Sequence, residues 1–148
     1  MFPKESKRGE IMGIQIRRAP YFHATVQDRP GEAYRMLDSL AALNVNLVAF
    51  TAVPVGPDRT QLTLFPDDSG RLSSVADGAG LQLDGPHHAF WVGGADEPGA
   101  LAGIHEKLYN AGVNVYASTG VSDGAGHFGY VIYVRPHSYS AAAEALGL

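Results

Sequence analysis

The chain has 148 residues, a length that fits one average domain or two small modules. Apolar residues make up 45% and charged residues 18%, as in globular proteins, and a formal charge of −4 argues against binding to nucleic-acid phosphates. The lack of cysteine excludes disulfides, thiolate metal sites and a cysteine nucleophile, and it fits a reducing cytoplasm.

The beginning of the chain carries charges but no apolar run. Residues 1–12 lack the apolar core of a signal peptide, and no stretch approaches the ~20 apolar residues that a membrane helix needs. We therefore expect residues 1–12 to be a flexible tail, the protein to be cytoplasmic, and a membrane not to be among its partners.

The first half of the chain predicts four strands and two helices. Residues 21–26 are rich in β-forming residues and predict a strand. Pro30 fits the first position of a helix, because its missing N–H needs no partner there, and apolar residues at helical spacing continue to Leu43. The remaining elements are a strand at 47–53, a turn at 56–58, a strand around Leu62 and Leu64, a short helix at 71–76 and a short strand at Leu81 and Leu83.

The second half predicts the same order up to its last strand. A strand at 90–92 precedes a helix marked by Leu101, Ile104, Leu108 and Ala111. Strands at 115–121 and 128–134 flank a glycine-rich turn at 122–126, and a helix covers 140–146. No residues remain for a fourth strand, so we expect the alternating segment 13–17 to take that place at the edge of the sheet.

The two halves also repeat each other in sequence. Asp28 and Asp96 each begin an Asp-x-Pro-Gly motif, and they lie 68 residues apart. When residues 21–80 are aligned on 89–148 without a gap, 11 positions are identical. A period of this length is too long for a solenoid repeat of ~20–50 residues, and it suits two small α/β modules.

Together these patterns predict an α+β protein. We expect two ferredoxin-like βαββαβ modules in tandem, with antiparallel sheets and the helices on one face. The first module would span residues 13–85 and the second residues 86–148.

The repeated motif lies where a strand meets the start of a helix. A helix start offers unpaired N–H groups and partial positive charge, which attract a carboxylate or phosphate. Gly31 and Gly99 lack a Cβ, so a ligand or a backbone segment could approach closely. Asp28 and Asp96 could accept bonds from backbone N–H groups or from a ligand ammonium. The alternative is structural, because the same motif also makes a good helix start without any ligand.

The order of these elements resembles the ACT domain, a small regulatory ligand-binding module. In each half a strand is followed by the Asp-x-Pro-Gly motif, an amphipathic helix and a β run that begins with Val-Asn. The resemblance covers about residues 21–83 and 89–146. It implies ferredoxin-like folds that pair side by side and bind amino acids at the interface between modules. The ligand-contacting positions that it implies are Asp28, Gly31, Asn46, Asp96, Gly99 and Asn114.

The two copies differ beside the motif. Arg29 in the first copy could hold a second acidic group of a ligand, whereas Glu97 in the second would repel one. If only one site binds, the sequence favours the first. Serine-binding members carry a histidine two residues before the aspartate position, where this chain has Val26 and Gly94, so a serine site is not expected.

Six histidines leave other functions open. His87 and His88 are placed in a linker between the modules, and His105 is placed at the margin of a packed helix face, hydrogen-bonded and partly buried. Their spacing does not match a metal site, and we expect neither a metal nor a cofactor. A small enzyme that uses these histidines, and an interaction module that binds no small molecule, are the two alternatives.

We therefore expect a regulatory protein without catalytic residues that binds a small amino acid or a related carboxylate. The implied partners are that small molecule, a second copy of the chain in a homodimer, and a regulated protein. Ligand binding would affect the oligomer or the partner protein only if the ligand binds one arrangement of the protein more tightly than another.

Overall fold

The computed structural model describes residues 8–11 and 13–148. In chain order the elements are β1 (Arg8–Ile11), β2 (Ile14–Gln27), α1 (Glu32–Ala42), β3 (Leu47–Pro54), β4 (Arg59–Pro66), α2 (Ser69–Ala76), β5 (Asp84–Ala95), α3 (Ala100–Asn110), β6 (Val115–Ser122), β7 (His127–Val134) and α4 (Tyr139–Ala145). All strand pairs with a defined register are antiparallel. The expected α+β class is confirmed, and no helix in the described residues is long and apolar enough to cross a membrane.

The chain divides into two compact units. The first comprises Pro20–His87, and the second comprises His88–Leu148 together with the described residues up to Ala19. The strands β2 and β5 therefore each contribute residues to both units. The expected division at residue 85 and the assignment of two βαββαβ modules stay predictions.

In the first unit, β4 pairs with β2 on one side and with β3 on the other. Alternate residues of these strands point towards the helices, because successive side chains of a strand face opposite ways. Leu62 and Leu64 are fully buried in this way. The core of the unit consists of Phe22, Ala24, Leu40, Val45, Leu62, Leu64, Leu72 and Ala76.

In the second unit, β7 lies between β5 and β6. Its core contains Phe90, Val92, Ile104, Leu108, Val113, Tyr130, Ile132, Val134, Ala142, Ala143 and Leu146, together with Ile14 and Ile16 from the start of β2. Ile16 is fully buried there. Residues 14–17 form a strand as expected, but their place as the fourth strand of a second module stays a prediction, and β1 pairs with this strand, so it is not the edge.

The repeat extends from the sequence to the hydrogen bonds. Asp28 N–H donates to the carbonyl of Asp58, and Asp96 N–H donates to the carbonyl of Gly126, both at 2.9 Å. The first pair of residues maps onto the second at the offset of 68. Each copy also contains a register shift between two paired strands. In the β3–β4 pair the shift lies at Leu47, and in the β6–β7 pair it lies at the equivalent residue, Val115.

Three local predictions differ from the structure. Leu81 and Leu83 form no strand, because the Leu81 N–H bonds back to the carbonyl of Ala76 at 3.0 Å and both side chains pack against the first core. His87 and His88 lie within β5 and not in a linker. Arg8–Ile11 form β1, whereas a flexible tail was expected, and the rest of the predicted tail lies outside the described residues.

Candidate functional site

Both copies of the motif turn the chain through a glycine in the left-handed region. Gly31 precedes α1 with φ 91°, and Gly99 precedes α3 with φ 85°. Residues with a Cβ rarely adopt this conformation, so glycine is required by the turn itself. Pro30 lies one residue before Gly31, outside the helix, so its predicted place at the first helical position is wrong.

The two aspartates of the motif do not cap the helices. Neither α1 nor α3 has a side-chain hydrogen bond at its N-terminus. Asp28 and Asp96 are exposed, and neither carboxylate has a hydrogen-bond or ion-pair partner among the described residues. The capping function weighed for these residues is therefore not what the structure shows, and both carboxylates are available to a ligand.

In the second unit a small cavity lies against the start of α3. Its volume is about 250 Å³, below the ~300–1,000 Å³ of sites for drug-sized ligands. Ile14 and Ile104 give it apolar walls, and Glu97 is the one charged residue among its described lining. The full lining is Gly13, Ile14, Ala95, Glu97, Pro98, Gly99, Ala100, Gly103 and Ile104.

A second, larger cavity of about 620 Å³ lies against part of the same segment. It shares Glu97, Gly99 and Ala100 with the first and adds Asp96. Its remaining described lining comes from the first turn of α3, the end of β6 and the start of β7: Leu101, Ala102, Gly120, Val121, Ser122, Phe128, Gly129 and Tyr130. The aspartate and the glycine predicted for the second site therefore line one cavity together.

The groups around these cavities complement a zwitterion. Asp96 and Glu97 supply two carboxylates, which attract an ammonium group. Leu101 and Ala102 lie in the first turn of α3, where the N–H groups have no intrahelical acceptor and the helix dipole favours negative charge. A molecule that carries both an ammonium and a carboxylate group could satisfy both sets at once.

The first copy of the motif is covered by its own side chains. The Nε of Arg29 donates to Oε1 of Glu32 at 2.6 Å, and Nη1 of Arg35 contacts the same oxygen at 3.2 Å. The hydrogen bond from Arg29 lowers the pKa of Glu32, and the charges of both arginines act in the same direction. A Cβ built on Gly31 would lie 3.9 Å from the Arg35 guanidinium. Arg29 is thus paired within the chain, although the sequence analysis assigned it to a ligand.

The predicted asparagines lie apart from the glycines within each unit. Asn46 and Asn114 follow the C-terminal ends of α1 and α3, whereas Gly31 and Gly99 precede the N-terminal ends. A helix of 11 residues spans roughly 16 Å. Both asparagines are exposed, and Asn114 lines neither cavity of the second unit. The structure does not bring them to the aspartates of the same unit.

Gly103 and Tyr130 are among the lining residues that were not predicted from the sequence. Gly103 lies inside α3, where glycine is less favourable than alanine. A glycine inside a predicted helix was therefore a signal in the sequence that could have pointed to this residue. Tyr130 is 7% exposed, and its hydroxyl is 2.8 Å from Nε2 of His105. His105 is therefore hydrogen-bonded and partly buried, as expected from its place on the helix.

Two further histidines, His23 and His87, form a cluster in the first unit. Nε2 of His87 is 3.0 Å from Oδ2 of Asp84, and the rings of His87 and His23 lie 5.3 Å apart. Nδ1 of His23 is 3.2 Å from the Thr63 hydroxyl. His23 and Asp84 also line a third cavity, of about 580 Å³. Among the described residues, no group of three or more His, Asp or Glu side chains could hold a metal ion.

Comparisons with known structures support the fold. The protein BT0572 from Bacteroides thetaiotaomicron aligns with this chain with a TM-score of 0.72 at 18% identity. The alignment covers 87% of this chain and 86% of BT0572. The regulatory subunit of aspartate kinase from Thermus thermophilus aligns over 92% and 95% of the two chains with a TM-score of 0.58 at 18% identity. The sequence matches no protein-family profile and no curated protein. At these identities the likeness establishes the fold, which is consistent with the ACT-like architecture expected from the sequence.

Proposed function

We propose that this protein is a regulatory binding protein, built from two ACT-like modules, that takes up a small amino acid at the start of α3. The observation that carries the proposal is the pair of cavities that share Glu97, Gly99 and Ala100. The larger cavity is lined by Asp96, Glu97 and the first turn of α3, and this combination of carboxylates and free N–H groups supports the proposal. The expected location at an interface between modules is part of the proposal.

The recognition mechanism follows from these charges. The ammonium of the amino acid binds to Asp96 and Glu97, and its carboxylate accepts hydrogen bonds from the N–H groups of the first turn of α3. The smaller cavity, with its apolar walls of Ile14 and Ile104, limits the size of the side chain. A ligand with a second acidic group would meet Glu97, so small neutral side chains are favoured.

The fold of the comparison proteins supports a regulatory function over a catalytic one. One of them is a regulatory subunit of aspartate kinase, and it shares the fold of this chain over nearly its whole length. Accordingly, we propose that this chain is not an enzyme, and that it acts in the cytoplasm as a homodimer on a protein partner. His105 fits a structural function, because its ring nitrogen is bonded to Tyr130.

A specific observation favours a second candidate, an interaction module that binds no small molecule. The strand β6 is exposed along almost its whole length, and it carries Tyr116 at 54% and Val121 at 72% exposure. A strand with free edge groups and exposed apolar side chains is a common place for another chain to pair. In this alternative the motif serves only to start the helices.

Thermal unfolding in the presence of each of the twenty amino acids separates the two functions. A binder present at 100 times its dissociation constant should stabilise the protein by about 2.7 kcal/mol, a clear shift in Tm. We expect at least one small neutral amino acid to raise the Tm. If none of the twenty does, the interaction module is the better account.

Paired variants then locate the binding groups. Asp96→Asn should abolish the shift in Tm, because the amide no longer offers a negative charge to the ammonium group. Glu106→Gln is the matched control, since Glu106 is an exposed acid on α3 that lines neither cavity. Equal loss in both variants would count against binding at the start of α3.

A further inference from the structure

We propose that the two copies of the motif have diverged into one open and one closed site, with Gly103 opening the second and Arg35 closing the first. This inference rests on the proposed function and deepens it, since it names the residues that decide which copy binds. It reverses the preference for the first copy that the sequence alone gave.

Arg35 and Gly103 occupy equivalent positions at the offset of 68. Each lies four residues after the glycine that precedes its helix, and each N–H bonds to the carbonyl of that glycine, at 2.9 Å from Arg35 and 3.3 Å from Gly103. The backbone at these two positions therefore makes the same hydrogen bond in both copies. Only the side chain that rises from it towards the helix start differs.

In the first copy that side chain lies over the glycine. Three guanidinium atoms of Arg35 lie 3.9 Å from where a Cβ of Gly31 would be. Arg35 is held there by Glu32, which Arg29 also contacts. A ligand that approached Gly31 would have to displace a guanidinium group from a carboxylate that two arginines share.

In the second copy each member of this network is replaced. Glu97, Ala100 and Gly103 stand where the first copy has Arg29, Glu32 and Arg35. A Cβ on Gly99 or Gly103 would meet none of the described atoms within 4 Å, and both residues line the cavity of about 250 Å³. The space that Arg35 fills in the first copy is thus empty of side chains in the second.

The replacement also changes the local charge. With the motif aspartate counted, the first copy carries two acids and two arginines beside the glycine and no net charge, whereas the second carries Asp96 and Glu97 and a net charge of −2. An ammonium group is therefore attracted more strongly at the second copy than at the first. Shape and charge point to the same copy, so we infer one amino-acid site per chain, in the second unit.

Amide chemical shifts of the ¹⁵N-labelled chain test this assignment at each copy separately. The probe is an equimolar mixture of the twenty amino acids. In the wild-type protein we expect the Gly99 amide to shift and the Gly31 amide to stay unchanged. Gly103→Arg should weaken the apparent affinity at Gly99 by about tenfold or more. Asn110→Arg, which adds the same charge at the exposed end of α3, should leave it unchanged.

The converse variant opens the first copy. Arg35→Ala should make the Gly31 amide respond to the mixture, and a silent Gly31 in this variant would overturn the assignment of Arg35. Shifts of equal size at Gly31 and Gly99 in the wild-type protein would overturn the asymmetry but leave the proposed function standing. No shift at either glycine in any variant would contradict the proposed function and the inference together.

Discussion

Gly120 and Tyr130 face each other across β6 and β7, and the tyrosine ring occupies the space that a side chain at Gly120 would need. A Cβ built on Gly120 would lie 2.8 Å from Cδ1 of Tyr130, closer than such contacts allow. The glycine thus leaves room for Tyr130 to line the larger cavity, with its hydroxyl bonded to His105. The wall of the proposed site depends on a residue that has no side chain.

Gly120→Val should therefore displace Tyr130 and destabilise the protein by about 1–3 kcal/mol, the usual cost of overpacking. Urea unfolding measures this change. The matched control is Ala52→Val, because Ala52 holds the equivalent, exposed position in β3 and should change stability by less than about 0.5 kcal/mol. Equal effects of the two variants would contradict the packing described here.

The glycines at the start of α3 should respond in opposite ways to alanine. Gly99→Ala should cost about 1–2 kcal/mol, because φ 85° is strained for any residue with a Cβ. Gly103→Ala should instead stabilise the protein by up to about 1 kcal/mol, because its φ is helical and the new methyl group meets no described atom within 4 Å. Chemical unfolding of both variants gives the comparison, and a loss of stability in Gly103→Ala would contradict the open space.

The start of β2 should be essential to the second unit. Ile16→Ala removes a fully buried side chain from that core and should cost about 2–5 kcal/mol. Amide hydrogen exchange should show the loss of protection in α3 before α1. Gln15→Ala, one residue earlier and exposed, is the control. Unchanged protection in α3 would show that this segment does not support the second unit.

The helices and the repeated motif were predictable because their signals are local. The apolar spacing from Ala33 to Leu43 identified α1, although the helix begins at Glu32, two residues after the predicted start at Pro30. The positions of Leu81 and His87 were not predictable. The alternation at Leu81 and Leu83 is typical of a strand, and the pair Gly85-Pro86, which lies within β5, is typical of a turn.

The candidate site was predicted in part. Asp96 and Gly99 were found because the motif is repeated, and the structure places both on one cavity. Gly103 and Tyr130 were missed, because their contribution depends on how α3 and β7 pack. The coverage of Gly31 by Arg35 was missed for the same reason, since four residues of sequence separation become one turn of a helix.

The histidine cluster of the first unit should make stability depend on pH. Burial lowers the pKa of His23 below its ordinary value of 6.5, and the nearby His87 adds to this effect. The unfolded chain therefore binds a proton more readily than the folded one. The contribution of neutral His23 is complete above the ordinary pKa and is lost as the pH falls towards the folded pKa.

Urea unfolding at pH 8 and pH 5.5, two values that bracket the ordinary pKa of a histidine at about 6.5, measures this dependence. The free energy of unfolding of His23→Asn should fall less over this range than that of the wild-type protein. His137→Asn is the control, since His137 is exposed. An identical fall in His23→Asn and in the wild-type protein would show that His23 does not carry the effect.

The central proposal is that the start of α3 binds both the ammonium group and the carboxylate group of an amino acid. Saturation-transfer NMR of the wild-type protein with an equimolar mixture of the twenty amino acids tests it directly, compared with the same mixture as methyl esters and as N-acetyl derivatives. We predict transfer to at least one small neutral amino acid and the loss of this transfer in both derivatives, because each derivative removes one charge. Transfer that persists in either derivative, or no transfer to any free amino acid, would contradict it.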